Sequence, residues 1–252
     1  MFKPNLIVLE QAESTQEIAK RMAADGAPSG TAIMAINQTN GRGRSGAEWH
    51  SPPGKNVALS AIVRLSLDVS CAPLIGLLAS ISVATLVENL CNPLKAYLKW
   101  PNDVLIQNRK IAGILPEARI VENNLEFIIL GIGININSSP ADFPEHLKDS
   151  LTSSLMLTGR AFDIKDVGNR LLETLTRSVT EVENEGVDFV PHVWEERWLH
   201  KGCQLTRDNL SGIATGIDSD GSLLLELDDG TIAKVCSGPP LSAGPIPKRW
   251  KN

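Results

Sequence analysis

Between an apolar run, Ala32-Ile33-Met34-Ala35-Ile36, and an alternating run from Val57 to Arg64 lies QTNGRGRSGAEWHSPPGK, Gln38 to Lys55, which has almost no aliphatic residues. The flanks read as two strands that pair with each other, and the segment between them as a long loop. A loop of this length inside a compact domain is functional or disordered. Gly41, Gly43 and Gly46 alternate with Arg42 and Arg44, a composition that lets backbone approach a ligand closely and offers guanidinium forks to phosphate or carboxylate. The loop reads as an anion clamp. Taken alone the GRGRSG run also fits a solvated, flexible loop, because it is neither GxxxxGK[ST] nor GxGxxG.

The chain of 252 residues has room for one sizeable domain or a domain with a small appendage. Its net charge of -5 excludes general affinity for nucleic acid, which needs a basic footprint, so the clamp suits a small anion rather than a polyanion. Cys71, Cys91, Cys203 and Cys236 are widely spaced and form no CxxC pair, so neither a metal knuckle nor a disulfide framework is expected, and reduced, cytoplasmic thiols are. The N-terminus lacks a signal-peptide core, and the apolar stretch Pro73 to Val87 reads as a buried helix rather than a membrane span.

In chain order, a strand from Asn5 to Leu9 precedes a helix opening at Ser14-Thr15-Gln16-Glu17, where Ser14 and Glu17 have capping-box spacing; Ser14 can cap, or contact a ligand, or both. A buried helix runs from Pro73 to Leu90. Trp100-Pro101-Asn102-Asp103 makes a turn. Strands Val104 to Ile106 and Lys110 to Leu115 form a hairpin, and Leu125 to Ile134 is a strand buried on both faces, in which Gly131 and Gly133 mark close approach of a ligand or another backbone. Helical spacing returns at Asp163 to Glu185 and at Pro191 to Leu199, where Trp194 and Trp198 form a packing staple. From Cys203 to Cys236 the chain is short strands and tight turns, the pattern of a small SH3-like barrel.

Three motifs in fixed order, GRGRSGAEWHSPPG, KWPNDVLIQNRKIAGIL and GIGININ, with STQ before them and the barrel behind, resemble those of bacterial biotin protein ligases. The resemblance implies a class II aminoacyl-tRNA synthetase-like α+β catalytic domain over residues 1–201, with a mixed sheet and helices on one face, followed by the SH3-like barrel and tail at 202–252. It implies that biotin and Mg-ATP give biotinyl-5'-AMP, and that the biotinyl group then passes to a lysine of a biotin carboxyl carrier protein domain. It places Ser14, Thr15, Gln16 and Gln38 at biotin, Arg42, Gly43 and Arg44 at its carboxylate and the phosphate, and Lys110 on the reacting carbonyl and the nucleotide's phosphate; Gly113, Gly131 and Gly133 would form the floor. Trp49 would stack on adenine or else anchor the loop, Asn102 and Asp103 would meet nucleotide and metal or else only turn the chain, and Asn135 would lie at the nucleotide.

Lys110 and Arg44 are thus the expected catalytic residues, and no protein-only metal cage is expected. The resemblance also leaves room for a homodimer, and since the first strand begins near residue 5 it implies a monofunctional type without an N-terminal DNA-binding domain. Ser45 and Ala47 stand where relatives often carry further arginines, and Gln16 where asparagine is commoner. A lipoate or octanoyl ligase and a non-catalytic biotin-binding protein are the rival readings.

Overall fold

The computed structural model describes residues 1–236 and 242–243; the rest of the expected 202–252 tail lies outside the described residues. Strands β1 (Asn5–Ala12), β2 (Thr31–Gln38), β3 (Val57–Val63), β4 (Ala96–Lys99), β5 (Asp103–Ile106), β6 (Arg109–Val121) and β7 (Asn124–Ile134) form one sheet in the order β1-β2-β3-β7-β6-β5-β4. The β1–β2 pair is parallel and the others antiparallel, so the sheet is mixed, as expected. A parallel pair needs a crossover, and helix α1 (Thr15–Ala24) supplies it.

Alternation along the strands gives the sheet two faces. On one, Ala19 and Ala23 of α1 pack on Ile33, Ile62, Phe127 and Ile129. On the other, Ala32, Met34, Leu59, Ala61, Ile128, Leu130 and Ile132 meet helices α2 (Ala72–Leu90), α4 (Ile164–Glu185) and α5 (Val190–Glu195). Helices therefore cover both faces, not one, with α1 alone on its side among the described helices. The α2 segment is long and apolar enough to cross a bilayer by composition, yet it lies inside the molecule against the sheet, α4 and α5. Its buried serines are satisfied: Ser80 donates to Leu77 O and accepts from Trp194 Nε1, and Ser82 donates to Leu78 O.

Several boundaries differ from the pattern reading. The first strand runs on to Ala12, and β6 continues past Leu115 to Val121 because β7 is long enough to pair with it throughout. The helix expected to Leu199 stops at Glu195, since Leu98 N–H donates to Arg197 O and Leu199 N–H to Leu98 O, drawing that backbone onto β4. The tryptophan staple still forms, with Trp194 and Trp198 ring centroids 5.7 Å apart. A short helix, α3 (Ser154–Thr158), has Ser153 as a side-chain cap and carries too few residues to show a helical period.

The C-terminal strands β8 (Gln204–Arg207), β9 (Leu210–Ile217), β10 (Leu223–Glu226), β11 (Ile232–Val235) and β12 (Ser242–Ala243) form an antiparallel sheet in the order β11-β10-β9-β8-β12, the small SH3-like unit the turn spacing implied. It is docked on the larger unit through Glu195, whose carboxylate accepts the Ile217 N–H at 2.7 Å.

Candidate active site

On the α1 face, β3, β7 and β6 run side by side with two cross-strand rows in register. One is Ala58, Gly133 and Gly113; the other is Ser60, Gly131 and Leu115. Beneath α1 the same face carries Ile62, Ile129 and Phe127, so bulk gives way to small residues just past the helix N-terminus. A trough results, and other side chains lie in it. A Cβ on Gly133 would sit 2.2 Å from Cε2 of Trp49, and one on Gly131 2.3 Å from Oε1 of Gln16. The expected close approach at these two glycines is therefore made by the protein's own side chains. Over the trough is a cavity of about 510 Å³, the size of a small-molecule site.

One end of the cavity is a neutral hydrogen-bonding wall at the start of α1. Ser14 occupies the N-cap backbone position, but its side chain makes no capping bond. The expected capping box is therefore absent; Gln38 on β2 instead serves the first helical residue, its Oε1 accepting the Thr15 N–H at 2.9 Å and lying 3.0 Å from Thr15 Oγ1. The buried Ser60 lies 2.8 Å from Thr15 Oγ1 and 3.1 Å from Gln16 Oε1, while Gln16 Nε2 donates to Leu115 O at 3.1 Å. These contacts fix the Gln16 amide. Ser14, also buried, lines the same wall. Glu17, the other half of the expected box, instead contacts Lys20 at 3.0 Å and Arg42 at 3.6 Å.

The other end is cationic. Residues 38–55 fold back on themselves, with Trp49 N–H donating to Gly41 O and Gly43 N–H to Ala47 O, and Ser45 at the tip adopts φ 54°. That fold carries Arg42 and Arg44 over the trough and lays the Trp49 ring on its floor. The Arg44 guanidinium reaches Asn102 Oδ1 at 3.5 Å. Burial lowers its proton affinity; Asp103 acts in the opposite sense, and the charge of Arg207, at the end of β8, adds to the lowering. Lys110 Nζ sits 2.5 Å from Asp103 Oδ1 and 5.7 Å from the Trp49 ring centroid. The Trp49 indole N–H is buried and has no acceptor among the described residues.

The cavity thus gathers Ser14, Thr15, Gln16, Gln38, Arg42, Gly43, Arg44, Trp49, Asn102, Asp103, Lys110, Gly113, Gly131 and Gly133 from five separate stretches of chain. Asn135 is the exception. It continues the Gly131–Gly133 face of the strand, but it is only 2 % exposed and is not on the cavity wall.

Pattern reading passed over Ser60, Glu17, Glu117, Lys99 and Trp100 as wall residues. Ser60 did leave a signal, a hydroxyl in an otherwise wholly apolar strand. Glu117 left none; it lies on β6 beyond the expected end of that strand, and its contact with Lys20 is tertiary. Among charged wall residues, Arg42, Arg44, Lys99 and Lys110 face Glu17, Glu48, Asp103 and Glu117, four against four, so the formal charge is zero. His200 adds nothing to that balance, because burial and the charge of Lys99 push its pKa down to about 4.

Residues 8–135 match the biotin/lipoate A/B protein ligase family, and residues 201–239 the biotin protein ligase C-terminal domain. The bifunctional ligase/repressor BirA of Bacillus subtilis is 36% identical over 237 residues, 92% of this chain and 72% of that protein. The chain belongs to the biotin protein ligase family. Within it, the biotin--[acetyl-CoA-carboxylase] ligase of Mycobacterium tuberculosis is 31% identical over 236 residues, 90% of this chain and 85% of that protein. The Aquifex aeolicus biotin protein ligase, solved in complex with biotin and ATP, superposes with a TM-score of 0.78 at 29% identity, covering 95% of this chain and 99% of that one. The mixed sheet and its small antiparallel C-terminal unit are thus the biotin protein ligase architecture.

Proposed function

We infer that this chain is an ATP-dependent biotin ligase, which activates biotin as biotinyl-5'-AMP and transfers the acyl group to a lysine of a biotin carboxyl carrier protein domain. The observation that carries the reading is the division of one cavity into a neutral hydrogen-bonding wall, Thr15, Gln16, Gln38 and Ser60, and a cationic end, Arg42, Arg44 and Lys110. A ligand with a ureido ring at one end and a carboxylate at the other fits that division. The N–H and C=O groups of the ring meet amide and hydroxyl partners, and the carboxylate lies toward the guanidinium groups and the ammonium.

In the first step the carboxylate oxygen attacks the α-phosphorus and pyrophosphate leaves. Carboxylate and triphosphate repel each other, so holding them together requires fixed cations at the reacting atoms, a role assigned to Arg42, Arg44 and Lys110. In the second step the carrier amine attacks the acyl carbon, loses a proton and displaces AMP; Lys110 and Arg44 stabilise the charge that builds on the carbonyl and phosphate oxygens. Trp49 offers a ring face to adenine. The glycine-rich loop, whose Arg42 is exposed on the rim, is the segment that closes over the anhydride and excludes water.

Mg²⁺ belongs to the same proposal. A wall with no net charge cannot by itself neutralise a triphosphate and a carboxylate, and no cluster of three metal-ligating side chains exists among the described residues. Asp103, with Asn102 beside it, would hold a divalent ion brought in with the triphosphate, and that ion would supply the positive charge the wall lacks. We place the catalytic unit at 1–201 and the barrel and tail at 202–252. Cys71, Cys91, Cys203 and Cys236 form no disulfide among the described residues, which suits the cytoplasm.

Incubation with ATP, Mg²⁺, biotin and a carrier domain, followed by mass spectrometry, should reveal a biotinyl-lysine. Biotin binding without pyrophosphate release would overturn the catalytic reading, and preferential release with lipoate would change the acyl group.

A further inference from the structure

One wall of the cavity, the turn from Lys99 to Asp103, is held from two sides. Toward the sheet, Asn102 Nδ2 donates to Ile114 O at 3.0 Å and Ile114 N–H returns to Asn102 O at 2.9 Å. Toward the C-terminal barrel, Trp100 Nε1 donates to the backbone carbonyl of Gly221 at 3.1 Å, a buried bond between residues 121 apart in sequence. Trp100 is 7 % exposed and lies on the cavity wall, whereas Gly221 belongs to the β9–β10 turn of the barrel and does not. The barrel thus reaches the site through one hydrogen bond to a residue of the turn that carries Asn102 and Asp103. It approaches the site a second time at Arg207, whose charge is felt by Arg44.

We propose that the barrel positions the nucleotide side of the site through the Trp100–Gly221 hydrogen bond, which makes Trp100 a positioning residue in addition to its packing in the core. The idea rests on the reading of the cavity as a biotin and ATP site. The neutral wall at Thr15, Gln16, Gln38 and Ser60 hangs on α1, β2 and β3 and makes its hydrogen bonds there and to Leu115 of β6, with none to the barrel among the described residues. Shifting the 99–103 turn therefore acts on ATP directly, while biotin keeps its neutral wall and feels the turn only at its carboxylate end, through the Arg44–Asn102 and Lys110–Asp103 contacts. Phenylalanine at position 100 keeps an aromatic ring and removes the donor, leaving the Gly221 carbonyl buried and unpaired.

In the full chain, Trp100→Phe should raise the ATP KM for pyrophosphate release by between about fivefold and about a hundredfold, the fold-change that a lost buried hydrogen bond implies. The biotin Kd, measured by calorimetry without ATP, should change by a clearly smaller factor than the ATP KM. Trp198→Phe is the matched control: Trp198 is also fully buried, but its indole N–H has no acceptor among the described residues, so its ATP KM should stay at the parental value. Gly221→Ala approaches the bond from the barrel side. Gly221 has φ +81°, and an added Cβ would lie 3.2 Å from Pro73 Cβ, so the turn must shift and carry its carbonyl with it. This variant should reproduce the ATP KM rise, non-additively with Trp100→Phe, and it decides the question alone if Trp100→Phe does not fold.

An unchanged ATP KM in the folded variant, equal losses for biotin and ATP, or an equal effect of Trp198→Phe would each overturn the proposal. Failure of the parent chain to release pyrophosphate at all would instead sink the functional reading beneath it.

Discussion

Ser60 is the residue through which the neutral wall is most open to attack. Three oxygen–oxygen contacts link Gln38, Thr15, Ser60 and Gln16, at 3.0, 2.8 and 3.1 Å, but the two hydroxyls supply only two protons. One contact is always without a bridging proton, so this chain of oxygens can accept one further N–H from a ligand. Ser60→Ala removes one hydroxyl and two of the contacts. Thr15 keeps Gln38 as an acceptor, but Gln16 Oε1 loses its donor in a residue only 7 % exposed. A buried acceptor stripped of its partner costs about 1–3 kcal/mol, which for a chain of this size corresponds to roughly 2–4 °C of melting temperature per kcal/mol. If the freed Gln16 amide no longer faces biotin, the same loss appears in affinity as about 5- to 150-fold in Kd. Calorimetric titration with biotin and a thermal melt on the same preparation check both. A Kd within about twofold of the parent together with an unshifted melt would refute the argument that Ser60 organises this wall.

Lys110→Ala should lower the rate of pyrophosphate release by on the order of 10²- to 10³-fold, the scale of a lost transition-state donor, while circular dichroism stays unchanged; near-parental activity would remove Lys110 from the chemistry. Asp142 carries a pH prediction. Its hydrogen bond to Lys55, 2.6 Å from Oδ1 at the base of the loop, holds its pKa at about 2, below the value of about 3.9 in an unfolded chain. A depressed carboxylate pKa stabilises the fold above the unfolded value and loses that contribution as pH falls from about 4 to about 2. Asp142→Asn should therefore be less stable than the parent in urea at pH 7, with the gap narrowing through that window; a gap independent of pH would show that the ionised pair contributes nothing.

Long periodic elements were legible in the sequence because each reports its own burial. Val167, Leu171, Leu175 and Val179 form one buried stripe of α4, and the continuous apolar run of β7 lies between two layers. The anchoring residues of the site were legible as motifs, since Arg42, Arg44, Trp49 and Lys110 occur in runs of unusual composition. What could not be read was which side chain would complete another's hydrogen bonds. Gln38 accepts the first N–H of α1, on Thr15, from 23 residues away, and Ser60 joins Thr15 to Gln16 from the middle of an apolar strand. Helix α1 lies on the opposite face from α2 because Ile33, Ile62, Phe127 and Ile129 form a second apolar surface there, which is seen only once β2, β3 and β7 are in register. Local pattern finds elements and motifs; satisfaction of buried polar groups is a property of the assembled sheet.

Arg42, Arg44 and Lys110 already hold partners within the chain, and the shortest of these pairings is between Lys110 and Asp103. A substrate oxyanion that takes over Lys110 leaves Asp103 as a carboxylate on the wall of a half-closed cavity without its counter-ion. Such a charge is costly there unless another cation arrives, and a divalent ion carried in on the triphosphate would supply one. The exchange therefore predicts that Asp103 has opposite effects in its two states, restraining Lys110 when the site is empty and holding metal when it is full. Asp103→Asn should keep biotin affinity, because Lys110 is no longer restrained, while the Mg²⁺ concentration for half-maximal pyrophosphate release rises by on the order of tenfold, as expected when a site with one or two protein carboxylates loses one. Titrating MgCl₂ at fixed ATP measures the shift. An unchanged Mg²⁺ dependence would mean that Asp103 serves only Lys110, and that the triphosphate alone carries the ion.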